Sequence, residues 1–418
     1  MNRTIPNLRH LRVFREVAAT RSISRAAKQV HLSQPAITQA IAKLEQALGI
    51  DLFERRSDGM FTTEGGELFL ARVERALDLL QSGAREAEKV GLRNGVRTVS
   101  RLDQLLTTTQ LRALVAVANS KNFSLAARTI GISQPSLHRA ARDLERLLEI
   151  TLFDKTSHGI VLTRAGRILA QHAKLTFAEL EQGFSEVETL QGRDSGSIVV
   201  GTMPLARTYI LPTAINTLMQ SHPQVRISVV DGPYADLLHG LRHGELDLLI
   251  GALRHPVPAD DVIQERLFSD PLAVVARRGH PLSRKKRVTL EDLSRYPWVV
   301  PRQGTPTRDY FDRMMARQPP LPASPIESSS LVLIRGLLLE SDRLTLISTH
   351  QIRHEQQLGL LAPLPVAMEE NERPIGLTLR KGWRPTATQD RFLACLREAG
   401  ALARLPSPRE GKPYSKNE

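Results

Sequence analysis

The stretch Ser33-Gln34-Pro35-Ala36-Ile37-Thr38-Gln39 decides the fold of this chain, because it returns one hundred residues later as Ser133-Gln134-Pro135-Ser136-Leu137-His138-Arg139. The same spacing relates Leu44-Glu45 to Leu144-Glu145 and Gly66 to Gly166. Self-similarity at one fixed period, in one ungapped register, indicates a duplicated unit. The sequence therefore predicts two copies of one small domain.

Each copy has the pattern of helix, helix, short turn, helix and hairpin. In the first copy, apolar residues recur at helical spacing from Leu8, and a second helix follows near Ser24. Ser33 is a good N-cap, and Pro35 falls in the first turn of the third helix, where its missing N–H costs nothing. The segment 55–59 predicts a tight hairpin, or wing, and 157–159 its counterpart. This order is typical of a winged helix-turn-helix, whose third helix is shaped to enter a major groove of DNA.

A long helix is predicted after each copy. Its apolar and small side chains step by four and three: Phe69, Val73, Ala76, Leu80, Gly83, Ala87 and Val90, and Leu169, Ala173, Thr176, Leu180, Gly183, Val187 and Leu190. Such a seam favours helix-to-helix pairing. The polar connector 91–106 reaches at most about 50 Å. We therefore expect residues 66–90 to pack on 166–190 within one chain, the alternative being pairing with the twin helix of a second chain.

After a hinge at residues 191–196, strands alternate with helices, which predicts an α/β sheet with mostly parallel strands. Strands are expected at 198–202, 226–230, 246–251, 272–276, 298–301, 344–348 and 375–379, with a last helix at 386–402. The predicted fold is multidomain: two helix-rich winged domains with long linker helices (1–90 and 107–192), a connector (91–106), a two-lobed α/β domain (197–402) and a disordered tail (403–418).

Composition and charge restrict the classes of function that this chain can have. The net charge of +13 favours a polyanionic partner, and the single Cys395 excludes an internal disulfide and fits a reducing compartment. The sequence contains no run of about 18 apolar residues, so it predicts no membrane span. The start of the chain is polar, so no signal peptide is expected. Histidines 239, 243, 255 and 280 lack metal-ligand spacing. We expect a cytoplasmic protein that is not an enzyme and has no metal site and no cofactor.

The motifs of the first copy resemble those of the LysR-type transcriptional regulators. They are Ser24-x-Ala26-Ala27, Ser33-Gln34-Pro35-Ala36, Leu44-Glu45, Leu48-Gly49, Leu52-Phe53-x-Arg55 and Thr63-x-x-Gly66. Residues 197–400 resemble the effector-binding domain of that family, which is similar to type 2 periplasmic binding proteins, through Val200-Gly201 and 244–247. Family members normally carry one winged helix-turn-helix domain, called a head below. The first copy, head 1, is therefore an addition, and the second copy is head 2. In the family the long helices of two chains pair antiparallel, which implies the same geometry here.

The resemblance implies a DNA-contacting surface on each head. In head 1 it consists of Ser33, Gln34, Pro35, Ala36, Thr38 and Gln39 at the major groove, with Lys43, Arg55 and Arg56 on phosphates. In head 2 the matching residues are Ser133, Gln134, Ser136, His138 and Arg139. Glutamine can pair with adenine and arginine with guanine, whereas phosphate contacts position without specifying. Head 2 departs from the family pattern at Ser136, His138 and Glu149, and has Lys155-Thr156 in place of Arg55-Arg56.

The resemblance also places an effector in a cleft between lobes 197–256 plus 370–400 and 262–365. Helix N-termini at the carboxyl ends of parallel strands suit a small polar or anionic molecule. The candidate residues are Thr202, Met203, Pro204, Gly232, Tyr234, Gln303, Thr305, Thr307 and Ser329. The alternative is that these residues are ordinary N-caps and turns. If they form the site, we expect Thr202 and Thr305 to approach each other across the lobes.

We therefore interpret the chain as a sequence-specific transcriptional regulator that binds double-stranded DNA under the control of a small effector. A homo-oligomer and contact with RNA polymerase are further expectations. One alternative is a regulator with one working head and one scaffold head. Others are an architectural DNA-binding protein without a ligand, and a solute receptor, against which the two heads count.

Overall fold

The structure, a computed structural model, describes residues 5–91, 105–157, 159–193, 196–316 and 318–403. Most of the predicted connector, the predicted tail from residue 404 and His158 at the second hairpin tip lie outside the described residues. The chain divides into an N-terminal unit, Met1–Gly196 with Arg242–Glu245, and a C-terminal unit that holds the remainder.

The N-terminal unit contains the same five-element head twice, each followed by a long helix. The first set is α1 (Leu8–Thr20), α2 (Ile23–Gln29), α3 (Gln34–Leu48), β1 (Phe53–Arg56), β2 (Gly59–Thr62) and α4 (Glu64–Gly91). The second is α5 (Thr108–Ser120), α6 (Phe123–Ile130), α7 (Gln134–Leu148), β3 (Phe153–Thr156), β4 (Gly159–Leu162) and α8 (Arg164–Leu190). Both hairpins are antiparallel in the same register, with Phe53 opposite Thr62 and Phe153 opposite Leu162.

The ends of α3 and α7 follow from local chemistry. The hydroxyls of Ser33 and Ser133 accept hydrogen bonds from the backbone N–H of the third residue of each helix, Ala36 at 3.4 Å and Ser136 at 3.3 Å. Gly49 ends α3 with φ +70°, and Glu149 adopts φ +53° at the matching end of α7. A left-handed conformation costs a non-glycine residue roughly 1–2 kcal/mol, so head 2 retains the turn at some expense in stability.

The two long helices pair within the chain, as the seam predicted. Seam residues of α4 and α8, among them Val73, Leu80 and Leu180, belong to one buried core. The rings of Phe69 and Phe184 meet at 5.6 Å between centroids. The intrachain prediction is therefore confirmed.

The pairing is antiparallel. A Cβ built on Gly65, at the start of α4, would lie 3.4 Å from Leu190 at the end of α8, and one on Gly91 would lie 3.4 Å from Ala165. Each helix thus ends beside the start of the other. Val90 and Leu190 were predicted in the seam but are exposed. Each lies in the last turn of its helix, where the partner helix is only beginning and covers one side of that turn.

A charged network crosses the middle of the seam. Arg72, with no exposed surface, donates to Glu179 at 3.0 Å, to Gln182 at 2.9 Å and to Glu186 at 2.9 Å. Burial alone lowers the pKa of Arg72, but its bonds to Glu186 and Glu179 outweigh burial and raise it.

The equivalent site in the other copy has different chemistry. His172, which matches Arg72, contacts Leu79 O at 2.8 Å through Nδ1 and lies 3.7 Å from Glu86 through Nε2. The pair of Arg72 with Glu186 corresponds to the pair of His172 with Glu86, since each residue of one pair matches a residue of the other at a spacing of one hundred. The seam therefore has an approximate two-fold axis whose two halves differ in charge.

The C-terminal unit is built on one continuous mixed sheet. Its strands are β5 (Ser197–Thr202), β6 (Arg226–Asp231), β7 (Leu248–Ala252), β8 (Val262–Arg277), β9 (Trp298–Val300), β10 (Ile326–Glu327), β11 (Leu344–Ser348), β12 (Leu361–Pro363) and β13 (Glu372–Arg380). Its helices are α9 (Ile210–Ser221), α10 (Tyr234–Arg242), α11 (Leu290–Ser294), α12 (Pro306–Met315), α13 (Leu331–Leu339), α14 (Arg353–Gln357) and α15 (Ala387–Ala403). The order along the sheet is β10-β9-β11-β8-β13-β7-β5-β6, with β12 on β8.

The expectation of mostly parallel strands is wrong. β5 pairs parallel with β6 and β7, and β9 with β10 and β11, but every ladder of β8 and β13 is antiparallel. Short segments 272–276 and 375–379 predicted only parts of these two strands. β8 and β13 are long enough to run from one half of the sheet to the other, and each half has its own buried core. Within the described ranges, no helix is long and apolar enough to cross a membrane.

Candidate nucleic-acid interface and effector site

Head 1 has an open concave face between α2, the N-terminal half of α3 and the β1-β2 hairpin. All the predicted residues of α3 except Lys43 line this face, together with Arg55 and Arg56 of the hairpin. Ile37, Ala40 and Leu44 are buried in the head, so helical spacing turns Gln34 and Thr38 outward. Exposed predicted residues on α3 and its cap are Ser33, Gln34, Pro35, Thr38, Gln39 and Lys43, whereas Ala36 is half-buried.

Phe61 organises the cationic side of this face. The guanidinium of Arg56 lies 4.8 Å from the Phe61 ring centroid and that of Arg21 lies 4.9 Å from it. Arg56 also pairs with Glu54. Arg21 was not among the predicted residues. It ends α1 with φ +51°, and its carbonyl accepts from Met60 at 3.0 Å, which ties helix to hairpin; a lone arginine between helices gives no sequence signal of this.

Head 2 presents a more cationic face on α7. Arg139 and Arg142 are exposed three residues apart, and Arg142 was missed by the sequence reasoning although this spacing puts it on the same helix side. His138 was predicted to face DNA, but it is half-buried and its ring stacks on Phe123 at 3.9 Å between centroids. Phe123 replaces the smaller Ile23 of head 1 and so provides a surface for the imidazole.

The remaining predicted residues of head 2 hold one another. The hydroxyls of Ser133 and Ser136 lie 2.8 Å apart, and Gln134 accepts from the Ser124 hydroxyl at 3.0 Å. The bond from Ser124 to the side-chain oxygen of Gln134 therefore fixes the orientation of the whole Gln134 amide, including its NH₂ group. Ser133, Gln134 and Ser136 remain exposed at the N-terminal end of α7.

In the C-terminal unit, the predicted residues of the β5 and β6 ends have different environments. Thr202 ends β5, is fully buried and donates to Met203 O at 3.2 Å. Met203 and Pro204 are half-buried and Gly232 is exposed. The Tyr234 hydroxyl, at the start of α10, is buried and has no hydrogen-bond partner among the described residues. Burial raises the pKa of Tyr234, against an opposing effect of Arg254.

The predicted residues of the other half surround α12 and α13. Thr305 is the N-cap of α12, with its hydroxyl accepting from Arg308 N at 3.3 Å, so here the N-cap reading holds. Thr307 is buried and bonds Arg373 at 2.6 Å. Gln303 and Ser329 are exposed, and Ser330, not Ser329, caps α13.

Two arginines that the sequence reasoning missed converge on the first turns of α12. Arg373 bonds Thr307 and pairs at 2.7 Å with Asp270, a fully buried carboxylate that also accepts from Ser348 at 2.5 Å. Neither residue lies in a motif; β-strand pairing across the sheet brings them together.

The second arginine is Arg254, whose guanidinium lies 4.5 Å from the Tyr234 ring centroid. Burial lowers the pKa of Arg254, while Tyr234 and Asp309 of α12 oppose the shift. In the part of the chain that the structure describes, the Nε atoms of Arg254 and Arg373 are both buried and have no hydrogen-bond partner. Guanidinium groups with unused donors match a carboxylate or another planar anion.

The comparisons with known proteins cover the whole architecture. The family described as "Bacterial regulatory helix-turn-helix protein, lysR family" matches twice, at residues 8–67 and 108–167. The family described as "LysR substrate binding domain" matches residues 191–401. The fold resembles that of full-length OxyR from Pseudomonas aeruginosa with a TM-score of 0.54 at 23% identity, over 71% of this chain and 95% of that one.

Two relatives differ in how much of the chain they share. The HTH-type transcriptional regulator GalR of Pseudomonas putida is 35% identical over 402 residues, 94% of this chain and 97% of its own. The HTH-type transcriptional regulator PcaQ of Agrobacterium fabrum is 29% identical over 300 residues, 71% of this chain and 96% of its own. The first alignment is too long to omit a head, and the second is too short to include two heads and the C-terminal unit. The chain belongs to the LysR family of bacterial transcriptional regulators: it is a DNA-binding regulator with an effector-binding domain, and not an enzyme.

Proposed function

We propose that both heads of one chain are winged helix-turn-helix modules that contact DNA together. The observation that carries this proposal is the intrachain pairing of α4 and α8, which leaves the N-terminal ends of α3 and α7 exposed in one compact unit. A LysR-type dimer of heads would then be reproduced by a single polypeptide.

The proposed DNA contacts are those of the exposed faces. Base edges are read by Gln34, Thr38 and Gln39 in head 1 and by Gln134, Ser136 and Arg139 in head 2, with the small Pro35 and Ala36 permitting close approach. Phosphates are contacted by Lys43, Arg55 and Arg56. His138 acts indirectly, through its stack on Phe123. Arg56 exchanges Glu54 for a phosphate when DNA is bound.

We also propose that the C-terminal unit, with the two-lobed fold of type 2 periplasmic binding proteins, takes a small anionic effector between its halves. Support comes from the buried, partly unused donors of Arg254 and Arg373 beside α12. Thr202, Tyr234 and Thr307 would contribute polar contacts, with Met203, Pro204, Gly232, Gln303, Thr305 and Ser329 as the rim. Tighter binding to one arrangement of the two halves is what would couple the effector to DNA binding.

The remaining expectations stay predictions. They are the approach of Thr202 to Thr305, the domain boundaries, a homo-oligomer, contact with RNA polymerase and a cytoplasmic location. Sedimentation of the full chain with and without DNA measures the oligomer directly.

Footprinting on the regulator's own DNA site tests the proposed reading by head 1. Gln34→Ala and Thr38→Ala should each weaken specific binding by about 1–3 kcal/mol and relax base preference. Gln46→Ala, an exposed substitution on the last turn of the same helix, is the matched control. An unchanged footprint for Gln34→Ala would mean that head 1 is a scaffold.

Thermal denaturation of the full chain with a panel of small carboxylates tests the effector site. A carboxylate that binds should raise the melting temperature of the wild type, and Arg254→Gln should abolish the rise while DNA affinity is retained. Arg353→Gln, which removes an arginine stacked on Tyr209 in the same unit, is the control. If no small anion or polar metabolite shifts the wild type, an architectural DNA-binding role without a ligand becomes the better interpretation.

A further inference from the structure

The exposed faces of α3 and α7 differ in chemistry at matching positions. Gln39 and Ala42 of α3 correspond to Arg139 and Arg142 of α7, and all four are exposed. We propose that the preferred DNA site of one chain is non-palindromic, with a guanine-containing half-site under α7 and an A·T-based half-site under α3. The bound regulator then has a fixed direction. This inference rests on the proposed function, in which both heads contact DNA.

The two half-sites share one part of the code. Gln34 and Gln134 occupy the same place at the start of each helix and are both exposed. Bidentate pairing of glutamine with adenine is available to both. The half-sites should therefore agree at the base pair below these glutamines.

They should differ one turn further along each helix. Thr38, Gln39 and Ala42 of α3 are neutral, and they suit thymine methyl groups and adenine. At the same places in α7, His138 is held by Phe123, while Arg139 and Arg142 extend two guanidinium groups from one side of the helix. Arginine prefers O6 and N7 of guanine, which is the commonest specific contact in the major groove.

The helical seam ensures that each DNA site meets one head of each kind. In the observed pairing, buried Arg72 finds Glu179, Gln182 and Glu186 on α8. A pairing of two α4 helices would instead place Arg72 opposite Leu79, Ser82 and Glu86, with one carboxylate where α8 offers two.

Pairing of two α8 helices is disfavoured as well. It would leave Glu179 and Glu186 facing His172 in place of an arginine. A buried carboxylate that loses its partner is strongly destabilising. Heterotypic pairing is therefore favoured by the charges of the seam in addition to the covalent connection, and the two recognition helices always come as an unlike pair.

Selection of binding sites from a random-sequence duplex pool with the full-length protein tests the inference. The enriched site should have two unlike halves that share one adenine position and differ by guanine in one half. Affinities are then compared on the asymmetric duplex and on two palindromes, each made by repeating one half. Each palindrome should bind more weakly by about 5- to 150-fold for each mismatched base pair.

A paired set of variants identifies the reader of each half. Arg139→Gln with Arg142→Ala gives α7 the neutral residues of α3 and should shift preference to the palindrome of the α3 half. Arg112→Ala removes one charge from an exposed position on α5 of the same head and should lower affinity for all duplexes equally or leave it unchanged. Circular dichroism of each variant confirms that it folds.

The outcomes separate the inference from the proposed function. Enrichment of a symmetric site that the double variant leaves unchanged overturns the inference, since head 1 of two chains would then read the DNA, while a DNA-reading function survives. Absence of any enriched sequence overturns the proposed function itself. An asymmetric site that converts to the palindrome in the double variant supports both.

Discussion

Arg72→Ala should unfold the N-terminal unit at a lower denaturant concentration while leaving the C-terminal unit unaffected. Arg72 is fully buried, and its removal takes the cation away from Glu179 and Glu186, whose side chains are 8% and 16% exposed. Breaking a buried ion pair by deleting one partner costs about 3–5 kcal/mol.

The structure places the expected cost near the lower limit. Glu179 keeps a second partner, Arg75, at 3.2 Å, and the partial exposure of Glu186 lets water solvate its carboxylate. We therefore expect a loss of about 3 kcal/mol in the free energy of unfolding. With a urea dependence of about 2 kcal/mol/M, the midpoint should fall by about 1.5 M.

The distribution of tryptophan makes the assay specific. Both tryptophans of the chain, Trp298 and Trp383, lie in the C-terminal unit, so their fluorescence reports that unit alone. Circular dichroism at the helical band follows the helix-rich N-terminal unit as well. The predicted result is a shifted dichroism transition with an unmoved fluorescence transition.

Arg75→Ala is the matched control, because Arg75 bonds the same Glu179 from a position that is 35% exposed. A partly exposed pair is worth about 0.2–1 kcal/mol, so the control should shift the midpoint by a small fraction of the Arg72 effect. Equal shifts for both variants, or none for Arg72→Ala, would refute the argument that burial gives this network its weight.

Four further results are expected. Gly83→Ala should destabilise the N-terminal unit by about 1–3 kcal/mol in the same dichroism assay, because the new Cβ would lie 2.3 Å from Cβ of His172. Gly336→Ala, within α13 and with open space around it, should stabilise the C-terminal unit by about 0.5–1 kcal/mol in tryptophan-monitored unfolding; a loss would show that the site is not open. Burial lowers the pKa of His280 in the folded protein, an effect that Asp342 opposes, so on acidification the unfolded chain binds this proton before the folded chain does. The stability that this group contributes is therefore present above its ordinary pKa of 6.5, and the free energy of unfolding should fall as the pH drops below that value. His280→Asn should show a smaller dependence of stability on pH. Burial raises the pKa of the Cys395 thiol, so it should react slowly with a thiol reagent until urea unfolds the unit; rapid labelling of the native protein would contradict its burial.

The sequence by itself determined the local architecture of the heads. Repetition at a fixed spacing revealed the duplication, and the N-caps Ser33 and Ser133 with helical periodicity located α3 and α7, because capping and the burial of one helix face depend on neighbours along the chain. The alternating pattern of the long helices predicted their seam. Its outermost positions were wrong, since coverage of Val90 and Leu190 depends on where the partner helix begins.

The tertiary structure alone decided which distant groups meet. Strand direction in the C-terminal unit depends on β8 and β13, whose length is not visible in the short apolar segments that signalled them. The stacking of His138 on Phe123, and the meeting of Arg373 with Asp270, join residues from elements that no motif links. Periodicity tells which face of an element is buried. It carries no information on the partner across the interface, and for this protein that partner determines which polar groups remain free to bind.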